Sequence, residues 1–226
     1  MAAIAAEQAH SHDHHGPLHH QFEDLDQQNE AYLVGMWAFL VQEVMFFGAL
    51  FLTYTLMRWQ YPMDWYFAHN ELDWKLAGFN TFNLLLSSFF AAMGVRSAQL
   101  KDRKGVLLWL GGVLLCCLVF LGIKYVEYAL KWEHHLVPGP SFFYQGEANP
   151  GVAQMFFGLY FAMTGLHGIH VAVGLIVFGI LWLMWYFRKP IVTEDYMPTE
   201  MCGLYWHFVD LVWIFLYPLF YLIPHP

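Results

Sequence analysis

The chain has 226 residues, of which 58% are hydrophobic, 19% aromatic and only 12% charged, and its formal net charge is −8. A soluble domain usually carries about 25% charged residues. Here the apolar residues are bunched into long blocks, which excludes an ordinary globular domain and marks a polytopic membrane protein. The negative charge, drawn largely from the N-terminal tail, argues against nucleic acid or an anionic membrane surface as a partner.

Residues 1–30 are polar, with neither the basic start nor the apolar stretch of a secretory signal. His10, His12, His14, His15, His19 and His20 lie there among Asp and Glu. Such a tract is able to hold a metal, but without fixed ligand spacing it reads as a solvated tail. Residues 31–226 form the membrane domain. The first spanning helix is expected over 32–57, closed by Arg58, Trp59 and Tyr61-Pro62. The loop from Arg58 to Lys75 is rich in Trp and Tyr, as at a membrane–water boundary. A second helix, over 76–98, is softened by Asn80, Thr81, Asn83, Ser87 and Ser88, which favour close contacts and hydrogen bonds between helices. Lys101 to Lys104 makes a short turn before a third helix over 106–130. After a loop with Pro138, Pro140 and Asn149-Pro150, the fourth helix runs over 152–187, long enough to tilt or to project from the bilayer. An acidic loop leads to the fifth, over 204–223.

The fold class is therefore all-α, a bundle of five transmembrane helices without internal repeat. Arg96, Lys101, Arg103, Lys104, Arg188 and Lys189 fall in loops on one side, against Arg58, Lys75 and Lys131 on the other. Cationic loops stay inside, so the N-terminus is expected in the cytoplasm. Cys116, Cys117 and Cys202 show no framework spacing and read as reduced or packing residues.

The informative residues are polar ones inside apolar runs, where they are costly and face another helix or a cavity. Glu43 lies about twelve residues into the first helix, near the bilayer midplane at ~1.5 Å per residue. It reads equally as a proton-exchangeable or lipid-facing carboxyl and as a protonated acid hydrogen-bonded to a neighbouring helix. Lys124 and Glu127, three apart, pair as a structural tie. His167 and His170 sit three apart in Gly-Leu-His-Gly-Ile-His-Val and share a helix face. His207 and Asp210, with Trp206 beside them, are also three apart. A carboxylate beside an imidazole orients it and raises its basicity, so this pair is expected to join a buried network that reaches His167 or His170. Haem ligation by His167, His170 and His207 is the rival reading. With His69, His134 and His135 in loops, the expectation is that the chain binds neither metal nor haem and does no redox chemistry alone.

Gly-Leu-His-Gly-Ile-His-Val (165–171) and Tyr-Trp-His-Phe-Val-Asp-Leu-Val-Trp (205–213) together resemble subunit III of the haem–copper respiratory oxidases. Val-Gln-Glu-Val-Met-Phe-Phe-Gly (41–48) is similar to the family segment with the membrane-buried glutamate, and Lys-Tyr-Val-Glu-Tyr (124–128) matches a further element. The likeness runs in order from Leu33 to the C-terminus. It implies a cofactor-free, phospholipid-binding subunit packed against catalytic subunit I and subunit II of an oxidase that reduces O2 and pumps protons, with haem and copper in those partners. It further implies a role in proton uptake and in protecting the active site, a bacterial inner-membrane location and membership of a respiratory chain, including larger supercomplexes. On this resemblance Glu43 is the buried glutamate, and Glu127, His167, His170, His207 and Asp210 are polar interior positions. Two further N-terminal helices found in longer members are lacking, so a lipid cleft formed with them is not carried over. Tyr205 leans toward a cytochrome c oxidase, while a quinol oxidase subunit and a nitric oxide reductase accessory chain stay open.

Two rivals belong to other classes. A membrane cytochrome would be coloured when purified alone. A proton-coupled transporter would use Glu43 and the Lys124/Glu127 pair and work when reconstituted alone, but the internal symmetry common in such folds is missing.

Overall fold

The computed structural model describes residues 22–140 and 142–223, so the histidines of the tail fall outside the described residues. Five helices are long and apolar enough to cross a membrane: α1 (Leu25–Gln60), α3 (Trp74–Gln99), α4 (Arg103–Glu133), α5 (Pro150–Tyr186) and α7 (Met197–Tyr221). Two short helices, α2 (Pro62–His69) and α6 (Pro190–Thr193), lie in the segments read as loops. The chain is an all-helical, multi-pass membrane protein.

Four of the five spanning helices start before their apolar block on a polar cap. Asp24, Asp73 and Asp102 accept backbone N–H groups of the first turns of α1, α3 and α4, and Asn149 does so for α5, with Pro150 behind it. The largest displacements are at α1 and α7, which start at Leu25 and Met197, each seven residues before the apolar pattern, and α7 has Pro198 in its first turn. Three helices stop on a residue in the left-handed region: Lys101, His135 and Arg188, at φ 54°, 56° and 52°. In each case the next N–H reaches back to the last helical turn (Asp102 to Ser97, Leu136 to Lys131, Lys189 to Met184), a Schellman closure made without glycine.

Helix directions follow from the bonds between helices. Asn83 Nδ2 donates to the Cys116 carbonyl at 2.9 Å, and Trp182 Nε1 to the Leu107 carbonyl at 3.0 Å, so α3–α4 and α4–α5 are antiparallel. Trp206 Nε1 donates to Ser87 Oγ and Trp213 Nε1 to Thr81 Oγ1, both at 3.0 Å, so α7 runs against α3. Helix α7 fills the centre, with Trp206, Trp213, Leu216 and Phe220 fully enclosed. Phe120 of α4 stands edge-on to Trp213 at 4.9 Å. On one membrane face Arg103 ties α4 to α5, its Nε and Nη2 donating to the carbonyls of Trp185 and Tyr186. On the other, α2 closes the bundle: Trp65 is fully buried against Tyr54 and Phe156, and the Asn149 N–H reaches the Asp64 carboxylate at 2.7 Å.

Helix α1 stands apart in its packing. Of its 36 residues only Gln28, Asn29, Glu43, Phe47 and Tyr54 are buried. Met36, Phe39, Leu50, Phe51 and Met57 are partly buried against the core, while Val34, Val41, Val44, Met45 and Leu52 face outward.

Candidate functional site

The seam between α1 and α5 holds the most unusual pair. Glu43 turns inward from a helix whose neighbours Val41, Val44, Met45 and Phe46 all face out. His170 meets it from α5, Nε2 to Oε2 at 3.2 Å. Their side chains are 11% and 17% exposed, which places the pair at the rim of the bundle instead of in its interior. His170 is fixed from three directions. Its Nδ1 donates to the Leu166 carbonyl at 2.8 Å, Phe47 lies edge-on to its ring at 5.3 Å, and the Tyr205 hydroxyl of α7 donates to its own carbonyl at 2.8 Å. With Nδ1 committed as donor, the neutral ring presents a lone pair at Nε2. The contact with Glu43 therefore needs one proton, carried either by the carboxyl or by the imidazole. Two groups sharing one proton within hydrogen-bond range are able to exchange it without moving a helix.

His167 departs from His170. It is fully buried, lies 5.0 Å from the Trp213 ring at 31° and 5.5 Å from Phe120 at 77°, and neither of its nitrogens has a hydrogen-bond partner among the described residues. The shared face expected from their spacing does not give a shared function: a step of three residues turns a side chain about 60°, enough here to aim one ring at the core and the other at α1.

The pairing expected for His207 and Asp210 does not form. His207 is exposed, and its Nδ1 meets Ser88 Oγ of α3 at 2.7 Å. Asp210 is buried toward α3 and α4, and neither of its oxygens has a hydrogen-bond partner among the described residues. The two residues again diverge around α7: His207 finds Ser88 of α3, while Asp210 is enclosed without a hydrogen-bond partner among the described residues. No bond from either reaches His167 or His170 among the described residues. Trp206 is tied to Ser87 as described and closes over Gly174 of α5, where a Cβ would sit 2.5 Å from its ring.

The Lys124–Glu127 pair forms, at 2.8 Å, and is larger than the spacing suggested. Glu127 Oε1 accepts from the hydroxyls of Tyr160 (2.7 Å) and Tyr221 (2.6 Å), while Lys124 Nζ donates to Tyr221 at 2.8 Å. Rings surround the ammonium, the closest being Trp213 at 4.8 Å. Tyr160 and Tyr221 were missed as members of this network. The signal for them was general: a buried ion pair is tolerable only when further donors and acceptors complete it, and a tyrosine inside an apolar run is such a group. Asn80 is another fully buried polar residue with an unpartnered amide. Cys116, Cys117 and Cys202 are free thiols.

Residues 20–224 match the family described as cytochrome c oxidase subunit III. Relatives named cytochrome c oxidase subunit 3 from Thermostichus vulcanus and Synechocystis sp. are 31% and 32% identical over 193 residues. That span is 84% of this chain in each case, and 87% and 75% of those proteins. A probable quinol oxidase subunit 3 from Staphylococcus aureus is 29% identical over 198 residues, 87% of this chain and 90% of that protein.

Proposed function

Since the chain belongs to the cytochrome c oxidase subunit III family of the haem–copper oxidases, we propose that it is the non-catalytic third subunit of a proton-pumping cytochrome c oxidase. In this reading it packs against subunits I and II, which carry the haem and copper, and itself supports proton uptake, holds phospholipid and prolongs the life of the active site. The observation that carries the reading is the Glu43–His170 contact, a one-proton pair at membrane depth open at the rim of the bundle. The Lys124–Glu127–Tyr160–Tyr221 cluster is enclosed and has a structural role in this scheme. So do His167, Trp206, His207 and Asp210, which join or pack helices.

The N-terminus lies in the cytoplasm of a bacterial cell whose inner membrane the chain spans. What supports this is charge: the turn from α3 to α4 and the link from α5 to α7 gather six cations on the face where α1 begins. A second reading, subunit III of a quinol oxidase, is favoured by the Staphylococcus aureus relative. Purifying the tagged chain from its own membranes decides between them. The expected result is a complex with haem absorbance that consumes O2 on reduced cytochrome c. Consumption on quinol alone selects the second reading, and a colourless chain that copurifies with no oxidase subunit overturns both.

A further inference from the structure

A second feature lies far from Glu43, on the face formed by α3, α4 and α5. Phe90, Leu108, Trp109, Gly111, Leu115 and Trp182 line an open groove of about 720 Å³. It follows α4 for about 12 Å at ~1.5 Å per residue. Its walls are fixed: Trp182 gives its indole N–H to the Leu107 carbonyl and stacks on Tyr186 at 5.5 Å, and Trp109 packs on Phe90 at 5.7 Å. Gly111 leaves open space on the α4 wall of the groove. A Cβ there would meet only Trp182 Nε1, at 3.8 Å.

The groove alone would accept any apolar occupant. Its surroundings choose one. Lys104, Leu108, Gly111 and Leu115 fall three or four residues apart on α4, so the Lys104 ammonium continues the stripe that lines the groove, and Lys101 stands in the turn just before that helix. Both lysines are exposed and make no ion pair or side-chain hydrogen bond among the described residues. Arg188 lies just past the end of α5, which Arg103 ties to the start of α4. The nearby acid, Asp102, is occupied in capping α4 through the Lys104 N–H. Cations at the membrane boundary above an apolar channel rimmed by indoles match a single chemistry, an acidic headgroup with an acyl chain. The chain's net charge of −8 is drawn largely from the N-terminal tail, whereas the turn between α3 and α4, with Lys101, Arg103 and Lys104 against Asp102, is locally positive.

We propose that this groove is a binding site for one anionic phospholipid, its phosphate on Lys101 and Lys104 and one acyl chain against Gly111. The proposal deepens the lipid-holding part of the reading above and names a site away from the α1–α5 seam.

The test is native mass spectrometry of the intact complex taken from nanodiscs of phosphatidylglycerol and phosphatidylcholine. The expected result is one retained phosphatidylglycerol that is lost in G111L and bound about 25-fold more weakly in K101Q/K104Q, roughly fivefold for each surface lysine. Retention unchanged in the double lysine variant, or equal retention of phosphatidylcholine, overturns the proposal. So does release of the chain from its complex by G111L with lipid content unaltered, which would make the groove a seat for a partner helix. Should the chain copurify with no haem-bearing subunit, the oxidase reading fails while the lipid measurement on this chain still stands.

Discussion

Replacing Glu43 by Gln keeps the volume of the side chain and its hydrogen bond to His170 while removing the exchangeable proton. The expected outcome is a complex that assembles and holds its haem spectrum but takes up protons more slowly, or inactivates after fewer turnovers. Unaltered proton uptake and lifetime over many turnovers would make the pair a structural contact only. The Lys124–Glu127 cluster behaves differently because it is enclosed. Lys124→Met leaves a carboxylate without its cation and is expected to cost about 3–5 kcal/mol, whereas Lys124→Met combined with Glu127→Met regains much of that loss. Detergent denaturation of the two variants measures the difference, and equal losses would show that the ammonium contributes nothing specific. The spacing of these two residues was legible because the contact is local. Tyr160 and Tyr221 come to Glu127 from 33 and 94 residues away, and no local pattern announces them. For His207 and Asp210 the same spacing misled, since His207 turns outward to Ser88 of α3 while Asp210 is buried.

Among the elements, the five spans were legible as apolar blocks, and their ends were not. Starts were displaced outward by Asp24, Asp73, Asp102 and Asn149, caps that lie in polar sequence and add a turn that hydropathy does not register. Stops were obscured because Lys101, His135 and Arg188 take the left-handed conformation that a glycine would have advertised. Contact between elements depends on small residues at few places. Gly174 lets α5 approach Trp206 of α7, and a Cβ would lie 2.5 Å from a ring that is fully buried and held by Ser87. Gly174→Ala is therefore expected to destabilise the bundle by about 1–3 kcal/mol through overpacking. A thermal midpoint equal to that of the parent would mean that the two helices shift apart without cost.

For the molecule as a whole, the titrating groups outside the spans set its response to pH. Burial lowers the basicity of His69 in α2, outweighing the Tyr66 carbonyl that its Nδ1 meets. The folded chain binds that proton less readily than the unfolded one, so this stability is complete above about pH 6.5 and falls as the medium becomes more acidic. Tyr144 and Tyr196 are raised, by burial first and by nearby acids second, so their contribution is complete below about pH 10 and falls above it. The expected profile is a plateau between these limits, with an acid limb that flattens in His69→Phe. A limb of equal slope in that variant would assign it to other groups. Membership of the oxidase family was legible at this scale from the order of the polar motifs along the chain. The electron donor was not, because the relatives include subunits named for cytochrome c and for quinol oxidases.

Helix α1 leans on the others through a handful of side chains, and Glu43 is one of them. Peeling this outermost rod away by harsh solubilisation would uncouple acid from imidazole before any other seam opened. On the reading proposed above, a preparation so treated would keep every band on a gel and its full colour, yet have lost the contact between Glu43 and His170.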